Sequence, residues 1–284
     1  MVNRVSLSIR FAKESDKKKL SELVHFEALV HRHLDWRAPL DWIGYRPFLI
    51  AEFNSEAVAA LACPPDPPEI AWIRLFAIAS GTDPAEAWGM LWNCAHSELS
   101  RVGNTIIAAI PIHDWFQDLL VKSGFKLVNR VVMLLWERNT QLVFDRQLSV
   151  NIRSMELKDI PAIEQVDREA FGALWHNSTS SLEIAFRQAA IATVVEMARQ
   201  VIGYQISTAT QLGGHLARLA ILPEFQGKGI GTQLLNHLLI DFERRGALQV
   251  TVNTQQDNYA SLSMYQKVGF NPTGESFPVY QHKI

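Results

Sequence analysis

The same short markers occur in the same order in the two halves of this chain, 143 to 145 residues apart. Repeats of solenoid proteins have periods of roughly 20 to 50 residues, so a period this long indicates the tandem duplication of a whole domain. The constant order and spacing disfavour chance agreement between common dipeptides. The matched markers are Ile9-Arg10 with Ile152-Arg153, Arg74-Leu75 with Arg218-Leu219, Gly103 with Gly246, and Lys122–Phe125 with Lys267–Phe270.

The chain length of 284 residues fits two domains of ordinary size. Hydrophobic residues make up 48% of the chain, enough to form a sizeable core and to exclude a disordered protein. We predict a first domain over residues 1–137, a linker over residues 138–149 and a second domain over residues 150–284. The boundary follows the segment Glu137–Ser149, whose first part is polar.

The charge balance and the cysteine count exclude several classes of protein. With 27 basic and 29 acidic residues the chain has no excess of positive charge to hold a phosphate backbone, so we expect no nucleic-acid partner. Cys63 and Cys94 are too few for a disulfide framework, which is typical of a reducing compartment. Apolar runs such as Val131–Trp136 are too short to span a bilayer, and no export signal is recognisable. The sequence therefore predicts a cytoplasmic protein without a membrane partner.

Hydrophobic periodicity in the second half predicts strands and helices in mixed order, which favours a central sheet with helices on both faces. Two β-rich runs around a tight connection predict a hairpin. The predicted strands are Ile152-Arg153, Thr193–Ala198, Val201–Ser207, Leu216–Leu222 and Leu248–Val252, and the predicted helices are Lys158–Phe171, Gly231–Arg245 and Tyr259–Val268.

A glycine-rich hexamer, Gln226–Gly231, lies between a predicted strand and a predicted helix. Glycines there allow the backbone to approach a bulky anion, and the N–H groups at the start of the helix favour negative charge. The Walker motif would need Ser or Thr directly after its lysine, where Gly229 follows Lys228, and the dinucleotide motif would need Gly in place of Thr232. The hexamer therefore predicts a pyrophosphate cradle of another kind, whereas taken alone it is equally a glycine-rich turn.

In its wider context this hexamer resembles the GNAT superfamily of acyl-CoA-dependent N-acyltransferases. The family pattern of Gln or Arg, two residues, Gly, one residue, and Gly or Ala is matched by Gln226, Gly229 and Gly231. The resemblance covers about the last third of the chain and implies two tandem GNAT-like domains, each a mixed, mostly antiparallel central sheet flanked by helices (fold class α/β). Further matching positions are Arg218–Ile221, Leu234-Leu235, Asn253, Asn258, Ala260, Leu262, Tyr265, Gly269 and Phe270.

The resemblance implies acetyl-CoA as the acyl donor. In the family, the strand before the loop separates from its neighbour and pairs through its backbone with the pantetheine arm of the donor, while the loop amides hold the pyrophosphate. Asn258 is equally well placed to cap the helix that follows it, and Asn253 to end a strand. The implied cofactor-binding residues are Leu219, Ala220, Ile221, Gln226, Gly227, Lys228, Gly229, Ile230, Gly231, Thr232, Asn253 and Asn258.

Three residues are candidate catalytic groups. By resemblance, Tyr265 protonates or stabilises the thiolate that leaves when an amine attacks the thioester, the alternative being an aromatic residue of the core. His215 stands where some family members have a glutamate base, and its ordinary pKa near neutrality suits that role. A structural histidine, with the amine deprotonated through ordered water, is the alternative. Glu196, on the predicted hairpin, is the second candidate base.

The first half has lost the cradle. Two carboxylates would repel a pyrophosphate, a proline lacks the N–H donor, and a tryptophan blocks close approach of an anion. We therefore interpret the first copy as degenerate, keeping the fold without the cofactor site. The residues that stand opposite Gln226, Gly227, Gly229, Gly231 and Tyr265 are Asp83, Pro84, Glu86, Trp88 and Leu120.

A histidine cluster in the first half invites a metal interpretation. The spacing of His25, His31 and His33 does not place all three on one helix face, so we expect no metal site.

The resemblance implies an N-acetyltransferase that moves an acetyl group from acetyl-CoA to a primary amine. Transfer is expected to be direct, in a ternary complex, because the second half has no cysteine that could carry the acyl group. From the resemblance we expect the acceptor to be a small-molecule amine or a peptide N-terminus. The alternative is an acyl-CoA-binding regulatory or scaffolding protein without turnover, which the intact Tyr265 disfavours. A homodimer is compatible with the sequence.

Overall fold

A computed structural model describes residues 7–103, 106–138, 150–211 and 213–284 of the chain. They divide into two compact units. The first unit extends to Val128 and also includes Pro278–Ile284, and the second unit is Asn129–Phe277. Within these ranges no helix combines the length and the apolar character that crossing a bilayer requires.

The first unit alternates short strands with three helices. Its elements are β1 (Ser8–Phe11), α1 (Lys17–Phe26), β2 (Leu29–Arg32), β3 (Phe48–Phe53), β4 (Glu56–Ala62), β5 (Ile70–Trp72), β6 (Leu75–Ile78), α2 (Pro84–Val102), β7 (Ile106–Ala109) and α3 (Asp114–Lys122). Strand β8 (Lys126–Glu137) begins at its end.

The second unit repeats this order with longer strands and one more helix. Its elements are β9 (Asn151–Ser154), α4 (Ile160–Ala170), α5 (Thr179–Gln188), β10 (Ile191–Met197), β11 (Gln200–Ala209), β12 (Gly213–Ile221), α6 (Ile230–Arg244), β13 (Gln249–Gln255), α7 (Tyr259–Val268) and β14 (Asn271–Lys283).

Most strand pairs in both units are antiparallel. In the first unit the strands lie in the order β1-β3-β4-β6-β2, and separately β5-β7-β14, where only β5 and β7 pair in parallel. In the second unit the order is β14-β8-β13-β12-β11-β10-β9, and among the pairs whose register the described residues define there, β12 and β13 alone are parallel. The predicted fold class, two mixed α/β copies with mostly antiparallel sheets flanked by helices, is confirmed.

Local sequence explains where the elements of the second unit turn and end. The hairpin between β10 and β11 turns at Ala198 and Arg199, both with positive φ. Helix α7 is capped by Asn258, whose Oδ1 accepts from the Ser261 N–H at 3.2 Å, and it ends at Gly269, where φ is +97°. The strands and helices predicted from periodicity are confirmed, whereas α5 and β14 were not predicted.

The two compact units differ from the predicted domain boundaries. Residues 129–137 of β8 belong to the second unit, where Leu134 and Trp136 are fully buried and the strand pairs with β13. Residues 278–283 of β14 belong to the first unit, where Tyr280 joins the core and pairs with Ala109. Of the predicted linker 138–149, all but the first residue lies outside the described residues.

Candidate active site

Strands β12 and β13 separate halfway along their length. Their parallel pairing covers Gly213–Leu216 against Gln249–Val252 only, although β12 continues to Ile221 and β13 to Gln255. On its other side β12 stays paired with β11 as far as Ile221. The predicted pantetheine contacts Leu219, Ala220 and Ile221 therefore lie on a strand edge that, among the described residues, no strand occupies.

The loop after β12 is held against the end of that strand. The Gln226 side-chain amide donates to the Ile221 carbonyl at 2.8 Å, and the Lys228 ammonium lies 5.1 Å from the centre of the Phe225 ring. Gly227 and Gly229 have φ of +71° and +84°, which other residues adopt only with strain. The loop conformation therefore favours glycine at both positions.

Helix α6 begins at Ile230, directly after Gly229, which has no side chain to cap it. The first N–H groups of a helix have no partner within the helix, so those of Ile230, Gly231 and Thr232 are oriented to bind an anion. A Cβ on Gly231 would lie 2.9 Å from Met264 Sδ on α7, so the methionine side chain would have to shift to accommodate it. The sequence assigned Gly231 to the approach of an anion, whereas the structure shows that it also permits close packing of two helices.

Tyr265 lies in the buried core between the sheet and helices α6 and α7. It is 5% exposed and belongs to the same cluster as Leu216 and Val252, the last paired residues before the strands separate. Burial raises the pKa of its hydroxyl, which is therefore protonated at neutral pH. In the described part of the chain the hydroxyl has no hydrogen-bond partner, and the ring packs 5.6 Å from that of Phe270.

His215 faces the other side of the sheet. A Cβ on the preceding Gly214 would meet the Phe242 ring of α6, so the next side chain along the strand points away from α6. The His215 Nδ1 lies 2.8 Å from the Thr251 hydroxyl on the neighbouring strand. Burial lowers the pKa of the imidazole, so it is neutral at physiological pH.

Asn253 and Asn258 differ in what occupies their amides. The buried Oδ1 of Asn253, the first residue of β13 beyond the parallel pairing, has no partner within the described ranges. Asn258 caps α7. Of the two asparagines that the resemblance implies as cofactor contacts, Asn253 therefore has a side-chain oxygen free to bind a ligand, whereas the side-chain oxygen of Asn258 already accepts a hydrogen bond.

Glu196 is held in an ion pair remote from β12. It lies on β10, two strands away, and accepts from Arg153 at 2.6 Å, and this guanidinium lowers the pKa of the carboxyl. Arg153 also pairs with Asp159 at 2.7 Å. Because the lowered pKa disfavours proton uptake, the structure argues against Glu196 as a base.

The first unit repeats this ion-pair network residue for residue. Arg10 pairs with Asp16 at 2.7 Å and with Glu52 at 2.6 Å, and Glu52 precedes Glu196 by 144 residues. A carboxylate retained in the copy without the glycine loop is a structural residue of the fold.

A second buried network, which the sequence analysis missed, joins β12 to α4. The carboxylate of Asp167, fully buried, accepts two hydrogen bonds from Arg218 at 2.7 and 2.8 Å and a third from the Tyr204 hydroxyl. Arg218 also donates to the Trp175 carbonyl at 2.6 Å and stacks 3.7 Å from the centre of the Phe171 ring. The network ties the connection between α4 and α5 to the strand that carries Leu219. The sequence singled out Arg218 only as a matched marker, without a partner.

The positions opposite the glycine loop form an ordinary helix start in the first unit. Asp83 caps α2, its Oδ1 accepting from the Glu86 N–H at 2.8 Å, and Pro84 is the first helical residue. Trp88 is buried and donates to the Ser123 hydroxyl at 2.7 Å. A side-chain carboxylate thus occupies the end of the helix that would otherwise face an anion.

His31 and His33, two histidines of the first unit, pack against aromatic rings. The His31 Nε2 lies 3.1 Å from the Ile73 carbonyl oxygen and the ring stacks on Phe116, while His33 stacks on Trp72. Among the residues that the structure describes, no three His, Cys, Asp or Glu side chains gather closely enough to ligate a metal ion.

Comparison with known sequences relates the second unit to acetyltransferases. The sequence profile of the Acetyltransferase (GNAT) family matches residues 160–270. N-alpha-acetyltransferase 30 of Schizosaccharomyces pombe is 41% identical over 61 residues, which is 22% of this chain and 41% of that protein, so the chain matches less than half the length of this relative. The ribosomal protein bS18-alanine N-acetyltransferase of Escherichia coli is 25% identical over 120 residues, 42% of this chain and 80% of that protein.

Solved structures resemble the whole chain at low sequence identity. A tandem GNAT protein from the clavulanic acid biosynthesis pathway has a TM-score of 0.66 at 12% identity, over 98% of both chains. A GCN5-related N-acetyltransferase from Sphaerobacter thermophilus has a TM-score of 0.63 at 12% identity, over 98% of this chain and 95% of its own. At this identity the likeness concerns the fold.

Proposed function

We propose that the second unit, in which residues 160–270 match the Acetyltransferase (GNAT) family, transfers an acetyl group from acetyl-CoA directly to a primary amine. The family match and the relatives named as N-acetyltransferases support an acyltransferase. What we propose beyond this is the identity of the acyl donor, the class of acceptor and the residues that act on them.

The observation that carries the proposal is the separation of β12 from β13, with a different candidate group on each side of the sheet. The edge of β12 over Leu219–Ile221 offers backbone N–H and C=O groups to the amides of a pantetheine arm. Tyr265 lies in the core on the side of α6 and α7, and His215 faces the opposite side. A thioester between the strands would then meet a proton donor on one side and a proton acceptor on the other.

The two groups have the protonation states that direct aminolysis needs. The amine nitrogen forms a bond to the thioester carbonyl carbon, the carbon–sulfur bond breaks, and the thiolate takes the proton of the Tyr265 hydroxyl, which burial keeps protonated. The neutral His215 accepts the proton that the amine loses. The Thr251 hydroxyl can donate to the Gly214 carbonyl, 3.5 Å away, and its oxygen then accepts a hydrogen bond from Nδ1–H of His215. In that tautomer the Nε2 of His215 is the atom that accepts the proton of the amine.

Direct transfer also agrees with the state of the cysteines. Both lie in the first half, and burial raises the pKa of the Cys63 thiol to about 12, so it is not a nucleophile at neutral pH. A covalent acyl-cysteine intermediate has no residue to form on in the second unit.

We propose a protein or peptide N-terminus as the acceptor. The support comes from two relatives, one named for N-alpha-acetylation and the other for acetylation of a ribosomal protein alanine. Small-molecule amines are the alternative class of acceptor, and an experiment with both classes distinguishes them.

The test is release of the CoA thiol from acetyl-CoA with two acceptor panels, one of short peptides with free N-termini and one of small primary amines. We expect turnover with at least one peptide, and a mass increase of one acetyl group on its α-amine. Turnover confined to small amines would overturn the acceptor class. Binding of acetyl-CoA without turnover on either panel would instead favour the non-enzymatic alternative.

A further inference from the structure

In the first unit a strand of the chain itself occupies the edge that is open in the second. Strand β6 (Leu75–Ile78) stands 144 residues before Leu219–Leu222, the region of the proposed pantetheine contacts. Strand β2 (Leu29–Arg32) pairs antiparallel with all four residues of β6, from Leu29 opposite Ile78 to Arg32 opposite Leu75. The backbone groups of β6 on that side are therefore already hydrogen-bonded.

Both ends of β2 are fastened by side chains. Before the strand, Glu27 accepts from the N–H and the hydroxyl of Ser80, each at 2.7 Å. After the strand, the His33 N–H donates to the Arg74 carbonyl at 3.0 Å, and Asp35 forms an ion pair with Arg74 at 2.9 Å in which both side chains are 7% exposed. The pairing thus covers the whole stretch from Arg74 to Ser80.

A buried histidine fixes the middle of β2. His31 is 2% exposed, its Nε2 lies 3.1 Å from the Ile73 carbonyl, and its ring stacks on Phe116 with 4.2 Å between centroids. Ile73 stands at the break between β5 and β6, where the strand leaves its parallel neighbour β7. His31 therefore anchors β2 at the point where the two strands part.

The second unit, in the residues that the structure describes, has no counterpart of β2. The chain after its first helix, residues 171–178, forms no strand, continues into α5 and is attached to β12 through Arg218 on the face of the sheet. The same stretch of the fold therefore fills the strand edge in one unit and leaves it open in the other.

We infer that β2 is a built-in substitute for the acyl-donor arm, which closes the first unit to acetyl-CoA irrespective of its altered loop. The inference rests on the proposed function, because it assumes that acetyl-CoA pairs with the open edge of β12. The chain would then bind one acetyl-CoA, in its second unit.

The test is backbone hydrogen exchange on the intact wild-type chain, with and without acetyl-CoA, together with calorimetric stoichiometry. We expect the amides of Leu75–Ile78 to be protected without ligand and to remain unchanged with it. The amides of Leu219–Ile221 that face away from β11 should exchange rapidly without ligand and gain at least tenfold protection with it, at one site per chain. The two edges serve as controls for each other within one molecule.

A variant tests the assignment of β2. Val30→Pro removes one N–H of β2 and disfavours a strand, so it should raise exchange at Leu75–Ile78 while leaving acetyl-CoA protection at Leu219–Ile221 intact. Equal exchange at Leu75–Ile78 in the variant and the parent would overturn the role of β2.

The outcomes separate the inference from the proposed function. Two acetyl-CoA sites per chain, or added protection at Leu75–Ile78 on binding, would overturn the inference and leave the proposed function standing. No heat of binding and no added protection anywhere would overturn the proposed function. It would also overturn the inference, because β2 would then have no acetyl-CoA to replace.

Discussion

Arg218 and Asp167 form a two-point ion pair in the second unit, with Nε 2.7 Å from Oδ2 and the terminal nitrogen 2.8 Å from Oδ1. Arg218→Met leaves the fully buried carboxylate without its cation, so we expect a loss of about 3–5 kcal/mol in the free energy of unfolding. Denaturant unfolding monitored on the second unit measures it. The double variant Asp167→Leu/Arg218→Met should recover part of that loss, because no uncompensated charge remains buried. A double variant less stable than Arg218→Met would contradict this account.

Gly229→Ala should weaken acetyl-CoA binding at least tenfold, because alanine disfavours the φ of +84° that directs the start of α6. Gly246 follows the other end of the same helix with the same φ, and no atom lies within 4 Å of the place that a Cβ would take there, so Gly246→Ala is a matched control. Both variants should lose roughly 1–2 kcal/mol of stability from backbone strain. Calorimetry should separate them, and equal acetyl-CoA affinities would remove the loop from the cofactor site.

Tyr265→Phe should lower kcat by roughly 100- to 10,000-fold while changing acetyl-CoA affinity little, since the ring still packs on Phe270 and only the proton donor is lost. Stability should also change little, because the structure provides no hydrogen-bond partner for the hydroxyl among the residues it describes. Steady-state kinetics and thermal melting test both statements. A kcat within twofold of the parent would make Tyr265 a core aromatic residue without a catalytic role.

His215 should give kcat/KM an acidic limb below the ordinary histidine pKa of about 6.5. Burial lowers the pKa of the ring, and the neutral, accepting form increases as the pH rises through that lowered value. In His215→Gln this limb should disappear and the rate at neutral pH should fall, with activity returning at high pH as more free amine exists.

Thr251→Val is the matched variant for His215, since it removes the hydroxyl 2.8 Å from Nδ1 and keeps the side-chain volume. It should shift the acidic limb without abolishing it. An unchanged limb in His215→Gln would assign the proton acceptor to another group or to water.

Glu196→Gln should leave kcat/KM within twofold of the parent and lower the free energy of unfolding by at most about 1 kcal/mol, as expected of a partly exposed ion pair. Glu52→Gln, the same change in the first unit, should have the same small effect on stability, because both carboxylates accept from an arginine at 2.6 Å. A tenfold or greater loss of activity in Glu196→Gln alone would restore this residue as a candidate base.

The segment from Gln226 to Phe270 was the most predictable part of the chain, for local reasons. The positive φ of Gly229, the apolar stripe of α6 and the cap at Asn258 are each encoded within a few residues. Such signals fix helix starts and turns without reference to the rest of the fold. The position of the loop and of the helices around it could therefore be predicted from the sequence, whereas the role of the loop as a cofactor site rests on the resemblance.

Long-range pairings were not predictable in the same way. Nothing local in residues 129–137 or 278–283 indicates which unit each of these strand segments will complete. The partners Arg218 and Asp167 are 51 residues apart, and β2 has only four residues. The ion pair of Glu196 escaped prediction for the same reason, because the arginine that holds it lies 43 residues earlier. Strand pairing is decided by packing context more than by intrinsic preference.

Because the end of β14 belongs to the first unit, that unit cannot complete its fold until late in biosynthesis. Tyr280 pairs with Ala109, so roughly 170 residues must be added after β7 before its partner strand exists. At about 5–20 residues per second a ribosome needs on the order of 10–30 s for this. During that time the edge of β7 that pairs with β14 has no partner strand, and the place of Tyr280 in the core is unfilled. The first unit to be synthesised is thus the last to be completed, and a nascent chain arrested before Val279 would expose this apolar strand to chaperones.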